Sequence, residues 1–284
     1  MIQYVRATET GIDVIYDAFQ RGFSDYMIPM KISKEDFEAR FFGPEGNQRE
    51  HSFVALDGQE PVGLALGGVK TYESVKTMRC GTLAIHPDYR GKGISARLMD
   101  LHREEALAAG CKQLFLEVIA GNDRAIAFYN KRGYRKFYDI FFFTLADAGK
   151  LGNPSIPEGG RISRVTFQEF AAVIQAWKYF HVNWQNDLEY QELDDRHIYY
   201  ILYIKDNPVG CLSVTSGGKI SMLVVDIRYR GQGVATALLA SARDELSIVK
   251  FSASTPNNAL LECFLERSSF TRDNLSLYEM YILL

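Results

Sequence analysis

Apolar and polar residues alternate at the start of the chain, Ile2-Gln3-Tyr4-Val5-Arg6, and predict a strand over residues 2–7. The period then changes, with Ile12, Ile15, Ala18 and Phe19 at helical spacing between Thr10 and Gly22. Ser33 reads as a helix cap, followed by Glu35 and Asp36 in a first turn and by the packing residues Phe37, Phe41 and Phe42. Three strand-like runs follow at 51–56, 61–70 and 76–86, separated by the turn signals Asp57-Gly58 and Tyr72-Glu73-Ser74. Ile94, Leu98, Leu101, Leu107 and Ala108 mark a helix that stops near Gly110. Residues 113–119 read as a strand, 123–132 as a helix and 134–144 as two more strands.

The same order then recurs. Gly149, Gly152, Pro154, Pro157, Gly159 and Gly160 give residues 146–160 the composition of a linker. Beyond it come a strand at 161–165, a helix at 168–179 and strands near 198–205, 208–215 and 219–227. A glycine turn with its helix, a strand at 248–253, a helix at 257–267 and closing strands to Leu284 complete the second half. Runs of strands broken by single crossover helices predict an α+β fold with mixed sheets, not a doubly wound one. The expected domains are residues 1–145 and 161–284, joined by the linker 146–160.

The recurrence is sharpest where a strand hands over to a helix. Tyr89-Arg90-Gly91-Lys92-Gly93-Ile94-Ser95 returns as Tyr229-Arg230-Gly231-Gln232-Gly233-Val234-Ala235. The first N–H groups of a helix lack intrahelical partners, and the helix dipole adds about half a positive charge there. Glycines let the backbone adopt φ above zero and approach an anion closely, while an arginine supplies a fixed cation. This is the pattern of a pyrophosphate cradle, present twice.

Composition narrows the partners. A chain of 284 residues is long enough for two cores, and 47% apolar with 24% charged residues excludes disorder. A net charge of −3 with no basic patch argues against nucleic acid. Cys80, Cys111, Cys211 and Cys263 stand alone, and His51, His102, His181 and His197 show no ligand spacing, so no metal is expected. His86, before Pro87, is read as turning the chain. No apolar stretch approaches the roughly 20 residues needed to span a bilayer, so no membrane is expected. The start also lacks a signal-peptide core, so the expected location is cytoplasmic.

Together with the stretch downstream of it, the first glycine turn resembles the acetyl-CoA motif of the GNAT superfamily of N-acetyltransferases: Arg or Gln, two residues, Gly, one residue, Gly or Ala. Arg90, Gly93 and Ser95 match with one relaxed position; Arg230, Gly233 and Ala235 match fully. Leu114-Phe115-Leu116-Glu117-Val118, then Asn122, Ala125, Phe128-Tyr129 and Gly133-Tyr134, look like the second half of that family's cofactor site. The resemblance implies two tandem acyl-CoA N-acyltransferase-like domains, each a mixed, mostly antiparallel sheet flanked by helices. It implies acetyl-CoA as donor, held by a strand that splays after Leu83-Ala84-Ile85, by the stretch Arg90, Gly91, Lys92, Gly93, Ile94 and Ser95, and by Asn122, Ala125 and Phe128. Glu117 and Tyr129 match the base and acid positions of the branch that acetylates an N-terminal alanine of a ribosomal protein. Phe23, Tyr26 and Met27 fall on the substrate side.

The residues alone leave choices open. Glu117 alternates with Leu116 and Val118 and could be a solvated strand residue or a base; the second glycine turn could be a tight helix entry or a cofactor site. Setting Phe270 opposite Tyr134 places Asn258 against Asn122, Leu265 against Tyr129 and Ala253 against Glu117; anchoring on Ala259 instead puts Cys263 opposite Tyr129. Both leave the second half without the proton-transfer pair. The expected function is transfer of an acetyl group to a primary amine of a small molecule by the first half. The alternatives are a protein N-terminal or lysine acetyltransferase and a non-catalytic acyl-CoA sensor. The acceptor and the oligomeric state, a homodimer included, stay open.

Overall fold

In the computed structural model, which describes residues 1–177 and 180–284, the alternating runs form strands and the 3.6-spaced runs form helices. The chain divides into two units, Met1–Phe137 with Tyr278–Leu284, and Tyr138–Leu277.

In unit 1, β1 (Ile2–Arg6), β2 (Gln48–Asp57), β3 (Glu60–Tyr72) and β4 (Val75–Ile85) pair antiparallel in sequence order. Next to β4 and parallel to it lies β5 (Gln113–Ile119), and the last part of β12 (Thr271–Leu283), which belongs to this unit, lies next to β5. Helices α1 (Ile12–Gly22) and α2 (Lys34–Phe41) cover one face, burying Ile15, Phe19 and Phe37 against Val54, Leu64 and Leu66. As the sequence suggests, Ser33 caps α2, its hydroxyl accepting from the Asp36 N–H at 3.0 Å. Helices α3 (Ile94–Ala108) and α4 (Asp123–Lys131) serve the other face, where Met99 and Tyr129 pack with Met78, Leu114, Leu116, Tyr134 and Met280. Each buried Leu or Phe contributes about 1.5–3 kcal/mol to holding these layers together.

Unit 2 repeats the plan with β7 (Gly160–Val165), α5 (Phe167–Trp177), α6 (Leu188–Glu192), β8 (His197–Ile204), β9 (Asn207–Thr215) and β10 (Lys219–Val225). It closes with α7 (Val234–Leu246), β11 (Phe251–Pro256) and α8 (Ala259–Arg267). Most of β6 (Arg135–Leu145) lies here, antiparallel to β11, with Phe143 and Leu145 in the core of this unit.

Several expectations change. Residues 134–144 form one strand, not two, because no Gly or Pro interrupts the alternation; the Asp139 N–H, in mid-strand, donates to Asn257 Oδ1. The division of the chain also differs from the expected boundary at 145: it passes between units within β6 and returns within β12, because sheet pairing and not linker composition decides where a strand belongs. The segment expected to be a pure linker is part of unit 2, with a short 3-10 turn at Ala148–Leu151 that buries Ala148 and Leu151 in its core. The helix expected over 168–179 is described over Phe167–Trp177, and Lys178 and Tyr179 lie outside the described residues. Among the described residues no helix is long and apolar enough to cross a membrane.

Candidate functional site

The site of unit 1 begins with a defect in its sheet. The parallel pairing of β4 with β5 runs from Thr77↔Gln113 to Cys80↔Leu116 and stops. At that point Gly81 is an extra residue in β4, since Thr82 faces Leu66 of β3 and Cys80 faces Gly67. Such a bulge bends and twists its strand, so β4 and β5 splay apart beyond it. Leu83, Ala84 and Ile85 keep their pairing to β3 and turn an open edge to the gap.

A cavity of about 200 Å³ fills the opening. Its walls are Leu83, Ala84 and Ile85; Tyr89, Arg90, Gly91, Ile94 and Ser95 of the glycine turn; Asn122, Arg124, Ala125, Phe128 and Tyr129 of the α4 segment; and Gly22, Phe23 and Tyr26 at the end of α1. Gly22 is a close-approach position: a Cβ there would stand 2.6 Å from the Ala84 Cβ. Gly91 and Gly93 have φ of 76° and 81°, and a Cβ on either would meet nothing within 4 Å, so this wall is bare backbone facing open space. Gly93 is the N-cap of α3, which leaves the first N–H groups of that helix directed at the opening.

The Arg90 guanidinium is already engaged. It donates to the Ile85 carbonyl at 3.1 Å, to the Gly22 carbonyl at 3.2 Å, and to both oxygens of Asp25 at 2.6 Å. Arg90 thereby ties the turn to the end of α1, and holds the Asp25 carboxyl below its ordinary range chiefly through that hydrogen bond. Beside it, Gly91, Ile94 and Ser95 line the cavity.

Asn122 caps α4, its Oδ1 accepting from the Ala125 N–H at 3.3 Å; burial raises the pKa of the nearby Tyr26 phenol, and Asn122 partly offsets that. Tyr129 is buried in the cavity wall. Burial, with lesser effects of Cys80 and Tyr26, pushes its phenol well above the ordinary value, so it stays protonated. Cys80, beneath it, is pushed up to about 12, mainly by burial, and stays a thiol.

Glu117 is not among the cavity walls. It follows the last paired residue of β5 and points to the opposite face from Leu116 and Val118, which pack with Tyr129. It is no solvated strand residue: its Oε2 lies 2.8 Å from Nη2 of Arg79, and both side chains are 6% exposed. Burial works against the Arg79 charge, but the fields of Glu117 and Glu45 outweigh it, so the guanidinium is firmly protonated.

Of the other expected residues, Gly93 forms the cap behind the wall, Lys92 places its ammonium 4.5 Å from the Tyr89 ring centroid, and Met27 is exposed to solvent. His86 caps the turn at Pro87–Tyr89, its Nδ1 accepting from the Asp88 N–H at 3.2 Å. The sequence reading missed Arg124, Asp25, Arg79 and Glu45. Arg124 was findable as the cation inside the first turn of α4; the others meet their partners only through the fold. Among the described residues no group of three or more His, Cys, Asp or Glu could hold a metal ion.

Unit 2 has the same turn, with φ of 74° at Gly231 and 81° at Gly233, and Arg230 Nε donates to the Val225 carbonyl at 3.2 Å. Its parallel pairing ends at Ile220↔Ala253, with Ser221 as the extra residue. The first residue beyond the pairing is therefore Ser254, not Ala253, opposite Glu117. The helix caps correspond, Asn258 Oδ1 accepting from the Leu261 N–H at 3.2 Å, which sets Leu265 and not Cys263 opposite Tyr129. Leu265 is buried in the unit 2 core and Cys263 is exposed.

Residues 12–134 match the model of the acetyltransferase (GNAT) family, and residues 165–274 that of an acetyltransferase (GNAT) domain. An acetyltransferase, SG1711, of Sodalis glossinidius is 35% identical over 81 residues, 28% of this chain and 54% of that protein. N-alpha-acetyltransferase 30 of Schizosaccharomyces pombe is 29% identical over 98 residues, 34% of this chain and 65% of that one. The chain thus spans between about half and just under two thirds of the length of these curated relatives. Among solved structures, a tandem GNAT protein from the clavulanic acid biosynthesis pathway shares the fold at a TM-score of 0.73 and 17% identity, covering 100% of this chain and 98% of that one. A GCN5-related N-acetyltransferase from Sphaerobacter thermophilus does so at 0.70 and 15%, covering 100% and 95%.

Proposed function

The chain belongs to the GNAT family of acetyltransferases, with two of its domains in tandem, and from that premise we propose that unit 1 transfers the acetyl group of acetyl-CoA to a primary amine of a small molecule. One observation carries the reading: a single cavity joins the open edge of β4, the glycine turn at Gly91, Ile94 and Ser95, and the buried Tyr129. A diphosphate fits the N–H groups at the start of α3, and an amide-bearing arm fits the unpaired edge at Leu83–Ile85. Asn122, Ala125 and Phe128 border the same path.

Attack on the thioester requires a neutral amine, and an ammonium with a pKa near 10 must first lose a proton. Glu117, the first residue of β5 beyond the pairing, takes it directly or through water. The tetrahedral oxyanion is held by a backbone N–H on the open edge of β4. As the C–S bond breaks, the thiolate receives a proton from Tyr129, which burial keeps protonated until then, and the proton lost by the nitrogen as the amide forms replaces it. Phe23 and Tyr26, in the cavity wall, border the acceptor, and the exposed Met27 follows them in the chain.

The test is turnover of acetyl-CoA across a panel of small amines and N-terminal peptides, comparing the intact chain with Tyr129→Phe and Glu117→Gln. Turnover of a small amine lost in both variants supports the reading. Binding without turnover of any acceptor leaves an acyl-CoA sensor in its place. A preference for peptides favours the second reading, protein N-terminal acetylation, which the name of the Schizosaccharomyces pombe relative supports.

A further inference from the structure

On the face of β4 and β5 away from Tyr129, a buried chain of charges runs inward from the surface. Arg79 donates through Nη2 to Glu117 Oε2 at 2.8 Å, and through Nη1 to Glu45 Oε2 at 3.0 Å and to the Glu45 carbonyl at 3.1 Å. Arg40, in α2, binds the remaining Glu45 oxygen at 3.2 Å. Two glycines make the arrangement possible. A Cβ on Gly68 of β3 would run into the Gly46 carbonyl, and one on Gly81 would run into the Asn47 side chain. With those atoms missing, the segment Glu45-Gly46-Asn47 lies directly on the sheet and brings Glu45 over Arg79. Asn47 is fixed in turn, its Nδ2 donating to the Phe41 carbonyl at 2.8 Å.

We propose that Arg79 is a positioning residue for Glu117: shared between two carboxylates, its guanidinium fixes Glu117 at the splay and sets the pH range over which that carboxylate is ionised, with Glu45 as the competing counter-ion. The inference rests on the reading of Glu117 as the acceptor-side base. A guanidinium divided between two anions stabilises each less than it would stabilise one alone. Glu45 therefore moderates the acidity that Arg79 imposes, and leaves Glu117 able to accept a proton from a bound ammonium.

The groups facing this pair come from every neighbouring element. Arg79 comes from β4 and Glu45 from the segment after α2, with Arg40 behind it. Tyr72 ends β3 within the electrostatic reach of Glu117, with Glu73 beside it. Glu279 and Tyr281 come from β12, joined by a hydrogen bond of 3.1 Å. Of these, Arg79 is the cation in direct contact with Glu117, and Glu45 shares it.

The experiment is a pH titration of the full chain labelled with 13C at the glutamate carboxyls, followed by NMR, the Glu117 signal being the one lost in Glu117→Gln. Removing the Glu45 charge (Glu45→Gln) takes away the carboxylate that competes for the guanidinium, and the Glu117 midpoint falls. Removing the cation (Arg79→Gln) raises it by about one pH unit or more; Arg79→Lys restores part of the shift. The two variants on either side of one guanidinium move the midpoint in opposite directions, which loosened packing would not do. Where Arg79→Gln fails to fold, Glu45→Gln and Arg79→Lys decide the matter by themselves. A Glu117 midpoint that stays put in the folded variants overturns the bridge while leaving the base intact. Full turnover by Glu117→Gln overturns the base and its bridge together.

Discussion

Gly93 and Gly233 open their helices at the same φ of 81°, and Arg90 and Arg230 each bond a carbonyl at the end of the preceding strand. Beyond the turns the two units part. Unit 1 has Asp25 against its arginine, Glu117 beyond the last paired residue and Tyr129 in the helix after it; unit 2 has no carboxylate paired with Arg230 among the described residues, and Ser254 and Leu265 in the other two places. The bulge residues differ as well. Gly81 makes room for Asn47, whereas Ser221 bonds Nε2 of the buried His197 at 2.8 Å. The glycine turn is thus kept by the fold itself, since the helix entry needs its glycines whether or not anything binds. The proton transfer proposed for unit 1 rests on side chains that the fold does not require, and there the second copy differs.

The largest test of this contrast is at the glycines. Gly93→Trp puts a bulky side chain at the helix cap beside the unit 1 opening, at a φ that favours glycine, and calorimetry should show acetyl-CoA affinity falling by about a hundredfold or more. Gly233→Trp should leave unit stoichiometry and affinity unchanged; two sites, or loss in that variant alone, would make unit 2 the donor site. Next comes Tyr129→Phe. With one proton donor removed, kcat should drop by about 10²-fold or more while acetyl-CoA affinity holds, and Leu265→Phe in unit 2 should leave kcat unmoved.

A smaller effect separates the units by acid. His102 of α3 is fully buried, mainly by which its pKa is lowered to about 4, so it folds neutral; nine positions after the glycine cap, unit 2 has Ala242 at that place. A histidine depressed in the folded state contributes stability that is present above its ordinary pKa near 6.5 and is lost as pH falls toward 4. The loss amounts to about 3 kcal/mol at most. Thermal melts between pH 7 and 4.5 should show unit 1 losing stability over that window, and His102→Leu should flatten the dependence. An unchanged slope in that variant removes His102 as the cause.

The smallest concerns the Asp25 clamp. Asp25→Asn should free the Arg90 guanidinium beside the opening and lower KM for acetyl-CoA a few-fold at low salt, with the gain fading as ionic strength rises. A higher KM would mean that the clamp serves to shape the cavity.

How much of the molecule the sequence reveals depends on the range of the interactions involved. The cradles are legible because glycine spacing and a helix start are local, and so are the caps Asn122 and Asn258. The register of Ser254 is not: Asn122 follows Glu117 by five positions and Asn258 follows Ser254 by four, so aligning on the helix slips the strand by one residue. Arg79 and Glu45 carry no local signal as partners of Glu117, since only the parallel pairing Arg79↔Phe115 and the absent side chains of Gly68 and Gly81 bring them there. The fate of β6 and β12 is equally hidden, because an alternating strand says which of its faces is buried and not which sheet it joins.

The passage of the chain between units within β6 and β12 has a consequence for synthesis. Met280 lies in the same cluster as Tyr129 and Tyr134, and the Leu284 N–H donates to the Lys112 carbonyl at 2.9 Å. Most of unit 1 leaves the ribosome before any of unit 2, yet its sheet is finished only by Tyr278–Leu284. A nascent chain carries the unfinished unit 1 through translation of all of unit 2. A message cut short anywhere in unit 2 therefore yields a first half with an open sheet edge, a template for aggregation and a target for proteolysis rather than a working half-enzyme.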